Sequence, residues 1–296
     1  MSVQQEAFFL PAETAMDGQR FCLFYPAQGQ SIRGLVLYIH PFAEEMNKVR
    51  RMAALQARAL AQAGYAVLQI DLLGCGDSSG DFGEVTWKNW VSDVVQGCQW
   101  LQQKYATQNR APSNAPLWLW GVRAGCLLAV EAASQVNEAC NFLFWQPPAS
   151  GKLLLQQFLR LKVAGDMMGG QAKSLMEGMR QQLASGSAVE ISGYRLSSEL
   201  AIGLEQAALL PPVYQGQAQR LEWFEVSPRE EACLSPVSSN TIAQWQQAGF
   251  AVRSHTVPGP AFWQTSEIEE VPALIEASIA AISASLPVAM HDEVCA

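Results

Sequence analysis

Leu117-Trp118-Leu119-Trp120-Gly121-Val122-Arg123-Ala124-Gly125 is the stretch that decides the fold of this 296-residue chain. An unbroken apolar run that is too short for a helix reads as a strand buried on both faces. From Ala124 to Val136 the residues are mostly Ala, Leu and Val, and they read as a helix. Gly121 and Gly125 flank the junction symmetrically around Arg123. Paired glycines there let a strand turn sharply into a helix packed close against it.

Working outward, the same alternation recurs. Gly34 to His40 and Tyr65 to Asp71 read as buried strands. The helix-favouring stretch from Val49 to Ala63 lies between them, with Gly64 at its end. A Gly/Asp/Ser loop runs from Gly74 to Gly83, and Thr86 is placed to cap a helix reaching about Tyr105. Cys140 to Trp145 is a further strand, stopped by Pro147-Pro148. Leu221 to Val226 and Phe250 to Val257 follow as strands, with helices predicted near Thr241 to Ala248 and Ile268 to Ser285. Residues 7–27 read as a hairpin around Asp17-Gly18.

This pattern predicts an α/β fold with an eight-stranded, mostly parallel sheet and helices on both faces. Residues 149–215 carry no clear core strand. Gly151 to Val163 and Leu175 to Leu183 read as amphipathic helices, separated from what surrounds them by Gly169-Gly170 and Ser185-Gly186-Ser187. Val189-Glu190-Ile191 is a short strand-like piece, with Tyr194-Arg195 behind it at the cap-to-core boundary. The expected organisation is a core of residues 1–148 and 216–296 with a helical cap insert at 149–215.

Hydrophobic residues make up 49% of the chain and charged ones 16%, which is enough apolar matter for a large core. The net charge of −8 argues against nucleic acid as a partner, because phosphate binding needs clustered Lys and Arg. The dense basic spot Lys48-Val49-Arg50-Arg51 lies in a predicted helix. Seven scattered cysteines and three histidines form neither a zinc pattern nor a disulfide framework. No metal or cofactor is expected, and a reducing cytoplasm fits this cysteine usage. The first residues lack a basic, apolar leader, and no apolar run approaches the ~18 residues of a transmembrane span.

Open α/β sheets bind ligands outside the C-terminal ends of their strands. Three such ends carry chemistry here: His40-Pro41-Phe42, the run from Asp71 to Ser78, and Gly121 to Gly125. The central residue of the last is Arg123. A guanidinium stays charged and has no lone pair with which to attack a carbonyl, so it cannot form an acyl-enzyme.

The layout from hairpin to last helix resembles the α/β-hydrolases, in which a Gly-x-Ser-x-Gly elbow presents the nucleophile. The text from His40 to Gly83, with His-Pro-Phe-Ala-Glu-Glu and Asp-Leu-Leu-Gly-Cys-Gly-Asp-Ser-Ser-Gly, resembles the type 2 hydrolases of the bacterial exosortase system. That resemblance implies a place beside exopolysaccharide production and the sorting of proteins with a Pro-Glu-Pro signal, and names no substrate. It implies oxyanion donors at the backbone amides of Phe42 and Ala124, since Pro41 has no N–H. It also implies a base histidine within Pro258 to Trp263, where Phe262 stands, and an acid after Leu221 to Val226. Glu225, Glu230 and Glu231 are available for the acid. His255 falls inside a strand, where packing is its expected role, and His291 in the terminal stretch. A Ser-His-acid triad is therefore not expected.

The expected cleft comprises His40, Phe42, Glu44, Glu45, Asp71, Asp77, Arg123, Ala124 and Phe262. Arg123 is expected to meet either a carboxylate of Glu44, Glu45, Asp71 or Asp77, or an exogenous anion held by the Phe42 and Ala124 amides. Adjacent residues do not share a helix face, so Glu44 and Glu45 should diverge, one of them pairing with Arg50, Arg51 or Arg123. His40 is expected to shape its loop, and Cys126 to fill a gap in the packing. Leu153-Leu154-Leu155, Phe158 and Leu159, with Met167, Met168, Met176 and Met179, give the insert an apolar face suited to cover a hydrophobic ligand. Trp118, Trp120, Trp145 and Trp223 belong to the core.

The leading functional reading is a catalytically degenerate hydrolase whose cleft binds an anionic or acylated small molecule or a partner. The alternative is an active ester or thioester hydrolase using Cys75, or a water activated near His40 and Glu44. A protein of an envelope-polysaccharide pathway, or a second copy in a homodimer, completes the expected partners.

Overall fold

A computed structural model describes residues 4–12, 18–29, 31–106, 115–165, 172–213, 219–229 and 232–284. The expectations for Asp17, Met167, Met168, Gly169-Gly170, Glu230, Glu231 and His291 fall outside them. In chain order the elements are β1 (Glu6–Pro11), β2 (Gln19–Tyr25), β3 (Gly34–Ile39), α1 (Glu44–Gln62), β4 (Tyr65–Ile70), α2 (Trp87–Ala106), β5 (Leu117–Val122), α3 (Ala124–Ala133) and β6 (Cys140–Trp145). Then come α4 (Gly151–Gly165), α5 (Ala172–Ala184), β7 (Val189–Ile191), β8 (Tyr194–Leu196), α6 (Ser198–Gln206), β9 (Arg220–Ser227), α7 (Pro236–Gln247), β10 (Ala251–Pro258) and α8 (Pro272–Ser283).

The main sheet has eight strands, as expected from the alternation, and their order is β1-β2-β4-β3-β5-β6-β9-β10. β1 pairs antiparallel with β2 and β2 with β4, and every other pairing is parallel. The central strands β3, β5 and β6 are buried along their whole length, which is why they read as continuous apolar runs. One apolar cluster joins the sheet to α2 and α3, and a second joins its other face to α1 and α8. Leu154 and Phe158 of α4 and Leu200 and Leu204 of α6 belong to the first cluster, so the segment between β6 and β9 shares the core. Trp118, Trp120, Trp145 and Trp223 are all buried, as expected.

Some boundaries differ from the expectation. α1 begins at Glu44, five residues before Val49, because the chain turns at Ala43 (φ 49°, ψ −126°) directly into the helix. α6 has no counterpart in the sequence reading, although Ser197 caps it by accepting from the Leu200 amide at 3.1 Å. No described helix is long and apolar enough to cross a membrane, and no metal-competent cluster of His, Cys, Asp and Glu occurs among the described residues.

Candidate functional site

Gly121 and Gly125 are required by close approach. A Cβ on Gly121 would lie 2.6 Å from the Cys126 nitrogen, and one on Gly125 would lie 2.2 Å from the Ile39 carbonyl oxygen. They frame Arg123, which adopts φ 54°, ψ −118°, a conformation costly for any side chain other than glycine. The Arg123 amide donates to the Trp145 carbonyl at 3.0 Å, and its own carbonyl accepts from the Cys126 amide at 3.0 Å. Ala43 repeats this backbone geometry at the neighbouring strand end, so two adjacent strands turn into helices in the same way.

The Arg123 side chain is 9% exposed and Glu45 12% exposed. Arg123 Nε donates to Glu45 Oε1 and Oε2 at 3.2 and 3.3 Å, and Nη2 donates to Gln157 Oε1 at 2.8 Å. The guanidinium lies 5.7 Å from the centre of the Trp263 ring. Of the two partners expected for Arg123, the internal carboxylate is the one seen. Burial drives the Glu45 carboxyl up to about 7, while Arg123 restrains the rise.

Beside this pair lies a cavity of about 300 Å³. Its polar wall is Glu44, Glu45, Lys48, Gln157 and Gln264, and its apolar wall is Phe42, Leu154, Phe158 and Leu161. Glu44 and Glu45 thus face one cavity, contrary to the expectation that they diverge. They stand on the open first turn of α1, where no preceding turn separates their side chains. Burial also raises the Glu44 carboxyl, and Glu44 Oε2 is buried without a hydrogen-bond partner. Phe42 and Phe158 meet edge to face at 5.0 Å, joining the His40 loop to α4. Ala124 begins α3 directly after Arg123 and is buried.

Several expected members are withdrawn from this site. Asp71 Oδ2 accepts from Arg50 Nη2 at 3.3 Å and from the Asp77 amide at 3.1 Å, and Asp77 is exposed. The loop closes on itself because Gly76 (φ 56°) turns the chain back over Asp71, so neither acid reaches Arg123. Asp71 and His40 line a separate cavity of about 190 Å³ between α1 and the sheet. Nδ1 of His40 lies 2.7 Å from the Pro41 carbonyl and Nε2 accepts from the Leu72 amide at 3.3 Å, which makes Nδ1 the protonated nitrogen. Burial lowers its pKa, so His40 is a neutral loop brace with no free lone pair for base chemistry. Cys75 is buried and its thiol is pushed far up by burial, then by Asp71 and Asp93, the opposite of an activated thiolate. Cys126 is likewise buried and raised.

Phe262 does not face Arg123. It is buried between Trp145 and Trp263, with edge-to-face contacts at 6.2 and 5.2 Å, on the α1/α8 side of the sheet. Trp263, the next residue, reaches the guanidinium instead. Glu225 accepts from Trp223 Nε1 at 3.0 Å. His255 stacks on Phe224 and lies 3.1 Å from Glu222, a fully buried carboxylate also held by Arg220 and Arg253. Arg220 donates from there to the Ala281, Ile282 and Ala284 carbonyls at the end of α8, so this cluster is structural. Gln157, Trp263, Gln264 and Lys48 were not read as site residues from the sequence, since single amides, an indole and a lysine in a basic run carry no motif.

The family described as serine aminopeptidase, S33, matches residues 30–175, just short of half the chain. The human protein ABHD12B is 26% identical over 117 residues, a stretch covering 40% of this chain and 29% of the human protein. Est1E from Butyrivibrio proteoclasticus, solved with ferulic acid bound, superposes with a TM-score of 0.60 at 14% identity, covering 93% of this chain and 98% of that one. A thermostable carboxyl esterase from Bacillus coagulans, solved with glycerol, gives a TM-score of 0.62 at 13% identity over 94% and 97% of the two chains. A soluble variant of the Saccharomyces cerevisiae monoglyceride lipase gives 0.55 at 15% identity over 95% and 94%. The chain has the α/β-hydrolase fold, with Arg123 at the centre of the Gly121–Gly125 elbow.

Proposed function

We propose that this protein is a hydrolase-fold binding protein that does not perform serine catalysis, and that its cleft takes a small molecule with an apolar or acyl portion. The observation that carries this reading is the closure of Arg123 onto Glu45 and Gln157 beside the 300 Å³ cavity. The elbow position holds a charged, internally paired group, and the ring that approaches it is an indole. His40 and Cys75, the groups an alternative hydrolytic mechanism would need, are held in unreactive forms.

Purified protein should give no fluorophosphonate-sensitive turnover of p-nitrophenyl acetate or butyrate. Arg123→Ser should stay equally inactive, because a serine without a base at that turn lacks the proton acceptor that makes it a nucleophile. Turnover abolished by the fluorophosphonate in either protein would sink the reading.

The resemblance of the His40 to Gly83 text supports a role beside exopolysaccharide production, and the scattered cysteines fit a reducing cytoplasm. Deleting the gene in its source bacterium should lower secreted polysaccharide, with restoration by the intact gene. An unchanged polysaccharide yield would remove that placement and leave the binding reading standing.

A further inference from the structure

We infer that the second cavity, the one between α1 and the sheet, is a binding site for a small neutral ring that carries one hydroxyl group. This goes beyond the reading of the elbow cleft and does not rest on it, because the two cavities share no lining residue. The space exists because α1 sets the short side chains of Ala53 and Ala54 over the sheet. Facing them, Leu23 of β2, Gln69 of β4 and Tyr38 of β3 are register partners across three adjacent strands, so their side chains line up on one face. Phe21, Leu23 and Met46 supply the apolar wall. A cavity of roughly 150 Å³ already takes a benzene ring. This one, at about 190 Å³, has room for a ring and one small substituent.

Tyr38 carries the inference. It is 5% exposed, and its hydroxyl has no hydrogen-bond partner among the described residues. The buried atoms sealed without a partner include Gln69 Nε2 but not Tyr38 Oη, so the hydroxyl opens on the cavity that its side chain lines. Burial raises the pKa of this hydroxyl, which keeps its proton and remains a donor. The neighbouring polar groups are engaged elsewhere. His40 is held between the Pro41 carbonyl and the Leu72 amide, and Asp71 Oδ2 accepts from Arg50 and from the Asp77 amide. Arg50 is 44% exposed, so this ion pair stands on the solvent side with its charges balanced. A buried hydroxyl without a partner calls for an acceptor, and an apolar chamber favours a neutral one. With Nε2 of Gln69 sealed, its carbonyl oxygen is the end left to a ligand, and it accepts. A phenol answers both groups, since its oxygen accepts from Tyr38 while its own O–H donates to Gln69. A ketone meets only Tyr38, and a carboxylate sets a second negative charge beside Asp71.

Fluorine NMR titration of the full chain at pH 7 with 4-fluorophenol, fluorobenzene and 4-fluorobenzoate tests this. 4-Fluorophenol should bind about fivefold more tightly than fluorobenzene, with 4-fluorobenzoate weakest. Tyr38→Phe keeps the ring that packs 4.6 Å from Trp120. It should weaken 4-fluorophenol about fivefold and leave fluorobenzene within about twofold. Ala53→Met fills the space from the α1 side and should weaken both at least about tenfold. Leu161→Trp, at a half-buried position that lines only the cavity beside Arg123, should leave both unchanged. If no probe binds, or if Leu161→Trp rather than Ala53→Met removes binding, the second cavity is not the site and the inference is overturned. If 4-fluorobenzoate binds most tightly, or Tyr38→Phe weakens 4-fluorophenol and fluorobenzene equally, the hydroxyl-bearing ring is the wrong ligand and the inference is overturned. Each of these failures leaves the reading of the elbow cleft to its own ester assays.

Discussion

Arg123→Met should lower the unfolding free energy by about 1–3 kcal/mol at pH 8, measured by urea denaturation. Methionine keeps much of the bulk and leaves the elbow backbone unchanged, so the loss reports the charge. It strands Glu45, a carboxylate 12% exposed, and takes a donor from Gln157. The deficit should depend on pH in a defined direction. Glu45 already titrates near 7 in the folded protein, against 4.5 when free of the fold. The folded state therefore binds more protons than the unfolded one between these values. Its contribution is fully present below 4.5 and is lost as pH rises through about 7. Without Arg123 the folded value climbs further, so the deficit should widen towards pH 8 and shrink towards pH 5. Adding Glu45→Leu to Arg123→Met should recover most of the loss, because it removes the stranded charge. A deficit below about 1 kcal/mol, or one equal at both pH values, would mean that the pair is not buried as described.

The parts of this fold that were readable are those where burial dictates composition. β3, β4, β5 and β6 are covered on both faces, so their residues are apolar except for Gln69 in β4 and Asn141 in β6, and the elbow glycines had to be small. The start of α1 was not readable, because Ala43 at φ 49° is imposed by its surroundings and alanine gives no hint of that conformation. At the site, the sequence identified Arg123 and four acids but could not choose among them. The choice was made by loop closure, since Gly76 folds the Asp77 amide back onto Asp71 and leaves Glu45 to Arg123. The aromatic after β10 was misread by one position. Whether Phe262 or Trp263 turns to the elbow depends on the path of the loop, and both are equally apolar. Gln157 lies in an amphipathic stretch where an amide looks like ordinary surface.

Asp93→Ala should cost about 3–5 kcal/mol, because it breaks the most deeply buried ion pair described in the protein. Arg20 of β2 and Asp93 of α2 are 0% and 1% exposed, joined Nε to Oδ1 at 2.7 Å. Nη1 and Nη2 of Arg20 are buried and have no partner among the described residues, so Asp93 alone offsets that charge. Alanine would leave the guanidinium uncompensated in the core. Arg20→Met with Asp93→Leu removes both charges, and its cost should fall to about 1–3 kcal/mol. What remains is the loss of a second bond, in which Asp93 Oδ2 accepts from the Leu73 amide at 2.7 Å. That bond links the pair to the candidate site. Leu73 follows Leu72, whose amide braces His40, and His40 holds the loop that carries Phe42 into the cavity wall. Amide exchange at Leu72 and Leu73 should therefore quicken in both variants, while only Asp93→Ala suffers the full stability loss. Equal losses in the two variants would show that the stranded charge is not what Asp93→Ala costs. Unchanged exchange at Leu72 and Leu73 would show that the loop is held by something other than Asp93.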